Sequence, residues 1–200
     1  SSLCGKGTQN AGGLSRQEDG LSYYAYLLRS RVGVDASPEE LTRLLTQQLA
    51  DQCAEMQIIL DQNPSLSLSE QALVLPFSTP EEMLADLQNA VSEDFPVLSG
   101  IAYEVKTVDD SLKDFLSPAF YLTPPIDEPA ANVIYINHAA KYRHQNLYAT
   151  LAHEGYPGHL YQNCFYQSQN PLPVRSIVNI GGYTEGWGTY AELYSYSLAG

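Results

Sequence analysis

The chain has 200 residues, a net charge of −13 and an apolar fraction of 44%, enough for a real core in one ordinary domain or a large piece of a bigger one. That charge argues against nucleic acid, whose binding rests on clustered Lys and Arg, and against docking on an anionic lipid surface. No stretch approaches the ~20 continuous apolar residues of a transmembrane helix, and the opening residues lack the basic start and apolar run of a signal peptide.

The chain opens without a Met in Ser/Gly-rich material and stops inside a helical pattern. It therefore reads as a fragment of a longer chain: a flexible lead-in over 1–17, then a single α-rich catalytic domain over 18–200. A first helix is expected from about Glu18 to Arg31, with Gly33 as its stop. Ser37, Pro38 and Glu40 form the next start signal. Behind it Leu41, Leu44, Leu45, Leu49, Cys53, Met56 and Leu60 keep a helical period, and Asn63-Pro64 ends the helix. Thr79-Pro80-Glu81-Glu82 repeats the start chemistry ahead of Met83, Leu84, Leu87 and Val91. Among the three cysteines, Cys53 and Cys164 lie between apolar residues and read as buried thiols rather than ligands.

The texture changes after Phe95-Pro96. Val97–Val108 and Ala119–Leu122 have β-type composition, and Asn132–Asn137 reads as a short strand bounded by turn residues. Such a strand, if it lies at a sheet edge, could hold an extended peptide by main-chain pairing. Helical period returns from about Lys141 and leads through Leu147, Tyr148, Leu151 and Ala152 into a histidine motif. An irregular stretch ends in Gly181-Gly182, and a last helix includes Glu185 to Leu198. The fold class is α+β, predominantly α-helical, with a small sheet next to the helix that carries the histidines.

The motif is His153-Glu154-Gly155-Tyr156-Pro157-Gly158-His159. Hydrolytic zinc usually takes three protein ligands and leaves a fourth position for water. The common solution is His-Glu-x-x-His on one helix face, with the glutamate as general base. Here the second histidine is six positions on rather than four. At ~100° per residue that leaves it roughly 120° away on a regular helix. Pro157 supplies the remedy: it has no N–H for the carbonyl of His153, and its ring crowds that carbonyl. With Gly155 and Gly158 beside it, the helix is expected to bulge or break near Tyr156–Gly158, taking up two extra residues and returning His159 to His153.

A third ligand has to come from elsewhere. Glu185, 26 residues after His159, is the strongest candidate; Glu192, seven residues later, projects from nearly the same face. We assign ligation of one zinc ion to His153, His159 and Glu185, and orientation of a ligand histidine to Glu192. Glu154 is the general base for a metal-activated water attacking a carbonyl. An oxyanion donor could be Tyr156, Tyr183, Tyr190 or His144, and Tyr156 and Tyr190 enter the catalytic set. His138 and His144 otherwise read as structural, and Gly186 and Gly188 as points of close backbone approach.

The 153–159 motif, together with Glu185-Gly186-Trp187-Gly188-Thr189-Tyr190-Ala191-Glu192, resembles the bacterial domain-of-unknown-function family 885. The resemblance extends through Tyr103-Glu104-Val105 and Ile134-Tyr135-Ile136-Asn137, and more loosely to Tyr23–Glu40. It implies a longer parent protein, a distant kinship with zinc peptidases whose third ligand is a glutamate, and a surface-anchored or secreted location. It also implies His153, His159 and Glu185 as ligands and Glu154 as base. Members often carry a polar residue at Leu160 and Ala at Gly188; neither departure touches a proposed ligand. Two functions are therefore in view: a zinc metallopeptidase acting on a peptide or other amide substrate, and a non-catalytic binding or scaffold domain with a structural or vestigial metal site. Oligomeric state is left open.

Overall fold

The structure, a computed structural model, describes residues 13–66, 75–139, 141 and 147–198. The chain divides into two compact units, Ser1–Ser69 and Glu70–Gly200. His144 and most of the lead-in lie outside the described residues.

In the first unit, α1 (Gly20–Leu27) runs into a π-helical turn, Leu28–Val32, and stops at Gly33, whose φ of 84° suits glycine alone among common residues. The helix α2 (Pro38–Gln62) starts where the start signal predicts. Glu40 N–H donates to Ser37 Oγ at 3.1 Å, and Ser37 N–H donates to Glu40 Oε2 at 3.0 Å. Such caps contribute about 1 kcal/mol each. No residue of α2 is buried. Its apolar stripe faces solvent, so Cys53 is exposed, contrary to the expectation of a buried thiol.

The second unit is mainly helical with a small three-stranded mixed sheet. The helix α3 (Pro80–Ala90) opens on a second capping box, Thr79 with Glu82. Strands β1 (Tyr103–Thr107), β2 (Ala119–Leu122) and β3 (Asn132–Ile136) pair in the order β1-β3-β2, with β1 parallel and β2 antiparallel to β3. The strand Asn132–Ile136 is thus central, with both sides paired. That overturns its expected role as an edge for a peptide; β1 and β2 are the edges.

Side chains alternate along β3. Asn132, Ile134 and Ile136 face inward and are buried, while Tyr135 stacks on Phe120 on the other face, with ring centroids 5.1 Å apart. The inner face meets Leu84 and Leu87 of α3, Leu151 of α4 (Leu147–Glu154) and Leu160 of α5 (His159–Ser168) in one core. Each of these leucines has no exposed surface, and burial of such a side chain stabilises by about 1.5–3 kcal/mol. The last helix, α6 (Gly181–Leu198), starts four residues before Glu185, so Gly181-Gly182 form its first turn rather than the preceding loop. Among the described residues no helix is long and apolar enough to cross a membrane.

Candidate metal centre

The first ligand pair is built by a break in what would otherwise be one helix. The helix α4 ends at Glu154 and α5 begins at His159. Across the join, hydrogen bonds reach back six residues instead of four: Gly158 N–H to Ala152 O at 2.9 Å and Tyr161 N–H to Gly155 O at 3.1 Å. Six is the helical four plus the two extra residues of the motif. The surplus is spent in the join, and the two imidazoles come together, ring centroids 4.7 Å apart and nearly perpendicular. The Tyr156–Pro157 peptide bond is cis. Two glycines make the join possible. A Cβ on Gly158 would lie 1.8 Å from the carbonyl oxygen of His153, and one on Gly155 would lie 2.5 Å from Leu84 Cδ2.

The third candidate ligand arrives on α6. Gly188, Ala191 and Ser195 are its buried residues, spaced three and four apart, so they form one narrow seam that lets α6 pack closely. The imidazole of His153 lies on Gly188, where a Cβ would come within 2.6–2.9 Å of three ring atoms. It is this ring, not another backbone as the sequence suggested, that needs the glycine, so the departure at Gly188 does touch a proposed ligand, contrary to the sequence reading. Trp187 donates its indole N–H to Pro157 O at 2.7 Å, tying α6 to the join.

This packing brings His153, His159 and Glu185 together, with one donor atom from each all within 4.8 Å of one another. Glu185 Oε2 is 3.5 Å from His153 Nε2 and 3.7 Å from His159 Nε2. Donors held tetrahedrally at ~2.0–2.1 Å from a small ion are about 3.4 Å apart, so the two separations from Glu185 suit a metal ion, which makes the triad a candidate metal site. Glu192 Oε2 is 3.4 Å from His153 Nδ1, behind the ligating nitrogen. A carboxylate that accepted the Nδ1 proton there would leave Nε2 free for a metal. Burial, with His153 close by, holds His159 below the usual histidine range, against the pull of Glu185. That favours the neutral, metal-binding form. The cluster opens on the Glu185 side, whose side chain is 66% exposed.

Glu154 sits beside the pair but points at the sheet. Its Oε2 accepts the main-chain N–H of Tyr121 at 2.8 Å. Burial raises its carboxyl above the ordinary range; the Tyr121 N–H and His153 pull it back, and Glu185 adds to the rise.

The tyrosine donors expected from sequence are not directed at this cluster. Tyr156 is a core residue, 2% exposed, packed edge-on against Tyr103. Its hydroxyl has no partner, and burial pushes its pKa up. Tyr190 lies five residues from Glu185, roughly 140° around the helix, and Tyr183 is roughly 160° away. Tyr190 instead lies against Trp187 and Tyr194 in an aromatic row, with centroids 5.6 and 6.4 Å apart. His138 is exposed just after β3. Sequence reasoning missed Trp187 and Tyr121. Trp187, the chain's one tryptophan, sits inside the quoted motif and was a visible signal; a main-chain N–H has none.

No functionally curated protein matches the chain significantly. Among solved structures, a protein from Colwellia psychrerythraea described as a candidate lipoprotein is similar, with a TM-score of 0.70 and 24% identity over 93% of this chain and 36% of that one. That likeness is one of fold, and the chain spans little more than a third of that structure's length. The profile of the bacterial proteins of unknown function DUF885 matches residues 6–198, nearly the whole length, and the chain belongs to that family.

Proposed function

We propose that the chain carries the single-zinc site of a hydrolase of the metallopeptidase type, acting on a peptide or other amide. The observation that carries this reading is the donor triad: three side chains from three helices with their ligand atoms within 4.8 Å. His153, His159 and Glu185 hold the ion, and Glu192 orients His153. When bound, zinc lowers the pKa of a water to near 7 and polarises a carbonyl. Glu154 takes the water's proton. One of its oxygens is held by Tyr121, which assigns the proton to the other, Oε1. With Tyr156 in the core and Tyr190 on another face of α6, the oxyanion donor is assigned outside that pair. For the whole protein, the likeness to a candidate lipoprotein supports an extracytoplasmic location.

Metal analysis of the purified chain with Glu154→Gln tests this reading. Zinc is expected at one equivalent in both proteins, with hydrolysis of a mixed peptide library only in the unsubstituted one. A folded chain that takes up no zinc overturns the proposal. Zinc without hydrolysis in either protein favours the binding-domain alternative.

A further inference from the structure

Tyr121 touches both halves of the broken helix, by two different groups. It lies on β2, an edge strand. Antiparallel pairs alternate between residues that exchange hydrogen bonds and residues that do not. Asn137 N–H donates to Pro118 O, so with Tyr121 opposite Ile134 the Tyr121 N–H falls on the outward side. There it meets Glu154, the last residue of α4. The Tyr121 hydroxyl goes the other way. It donates to Asn132 Oδ1 at 2.7 Å and accepts from Asn163 Nδ2 at 2.9 Å. Asn132 is 4% exposed and donates in turn to Ala102 O at 3.0 Å, leading into β1. Asn163 is on α5, one turn after His159 and on the same face.

We propose that Tyr121 is the positioning residue of the site: its main chain sets Glu154, and its hydroxyl, clamped between Asn132 and Asn163, sets the rotation of α5 and thereby His159. The lever is short. A rotation of ~10° about a helix axis moves atoms ~5–6 Å from it by about 1 Å. A metal site holds its geometry to within ~0.5 Å. The join at Gly155–Gly158 leaves α5 free of the continuous helical ladder that would otherwise fix its phase relative to α4. The two six-residue bonds of the join and the burial of Leu160 and Tyr161 seat α5, and the sheet pins its rotation through the Tyr121 phenolic oxygen. Tyr121 touches neither the ion nor the water in this scheme; it acts through Glu154 and through α5. The functional half of the inference rests on the zinc reading, whereas the structural half does not.

The test compares the full chain with Tyr121→Phe, Asn163→Ser and Thr79→Ala. The last removes the α3 cap and serves as a stability control that leaves the Tyr121 hydrogen bonds untouched. Three readouts are taken: amide hydrogen exchange of the metal-free chain, the visible absorption of the cobalt(II) form, and zinc affinity by chelator competition. For Tyr121→Phe and Asn163→Ser we expect exchange in α5 to quicken about tenfold relative to α3. The cobalt bands should shift, and zinc should bind roughly 10-fold more weakly. Thr79→Ala should lower the unfolding temperature and leave the cobalt bands in place. Unchanged α5 exchange in both hydroxyl-network variants overturns the brace. A starting protein that binds neither cobalt nor zinc overturns the metal reading instead, and the exchange result still decides the brace.

Discussion

Replacing Gly158 with alanine tests the join on which the site depends. The added Cβ meets three main-chain atoms: His153 O at 1.8 Å, Ala152 O at 2.3 Å and His153 C at 2.3 Å. None belongs to a flexible side chain, so relief requires residue 158 to move about 1.5 Å off the end of α4 to regain ordinary contact distances. That move lengthens the Gly158 N–H bond to Ala152 O from 2.9 Å past its useful range. It leaves a buried donor and acceptor poorly paired, at ~1–3 kcal/mol, with steric strain of similar size. We expect a loss of about 3–5 kcal/mol in urea unfolding. His159 is the next residue, so zinc affinity should fall by at least ~100-fold, as expected for an ~1 Å misplacement. Gly186→Ala is the matched comparison. A Cβ there meets nothing within 4 Å, and the helix gains up to ~1 kcal/mol from the better helix former. Its zinc affinity should be unchanged. If Gly158→Ala matches wild type within ~0.5 kcal/mol, a margin typical of uninvolved sites, or binds zinc equally well, the account of the join is wrong.

Other perturbations separate the parts of the site. Glu192→Ala should weaken zinc 10–100-fold through loss of the His153 Nδ1 partner, with little change in the metal-free unfolding curve; equal affinity in a chelator competition would remove Glu192 from the site. Trp187→Phe keeps an aromatic ring beside Phe95 but strands Pro157 O. It should cost ~1–3 kcal/mol in urea unfolding, and a smaller loss than ~0.5 kcal/mol would show the indole bond to be incidental. Zinc at 100 times its Kd should stabilise the fold by about 2.7 kcal/mol, seen as a rise in Tm that a chelator reverses. Identical melting with and without zinc would mean that the folded chain binds none.

Local chemistry was the part of this protein most open to reading in advance. Ser37 and Thr79 announce their helices because a hydroxyl, a proline and a glutamate at fixed offsets satisfy the orphan N–H groups. The strand Ala119–Leu122 was placed to the residue, and the His153–His159 break followed from Pro157 and the glycines. Glu185 was chosen for its place 26 residues after His159, and Glu192 for its helical spacing from Glu185. What escaped is non-local. That β3 is central depends on pairing order, which no single strand encodes. The apolar stripe of α2 foretold the helix but not its exposure, because period says which residues share a face and not whether anything covers it. Tyr190 is different: its angular offset from Glu185 was available from the spacing, and a wheel drawn at 100° per residue would have removed it from the donor set.

The ligand set explains why so much of this site lies beyond local sequence. In a regular His-Glu-x-x-His helix, two ligands and the base share one ladder, and their relative positions come with the secondary structure. Here His153 is the last residue but one of α4, His159 opens α5 and Glu185 rides on α6. Each pair is set by a different contact: the six-residue hydrogen bonds of the join, the seam of Gly188, Ala191 and Ser195, and the Trp187 bond to Pro157. An ion binding all three would therefore report on tertiary structure, gripping only a unit in which the helices are correctly docked. By linkage, whatever loosens one of those contacts must weaken the metal by the same free energy by which the metal tightens the contact. The glycines at 158 and 188 follow from the same arrangement, whereas Gly155 makes room for Leu84 of α3. Three helix segments and an imidazole converge on one point, and at each closest approach there is no room for a β-carbon.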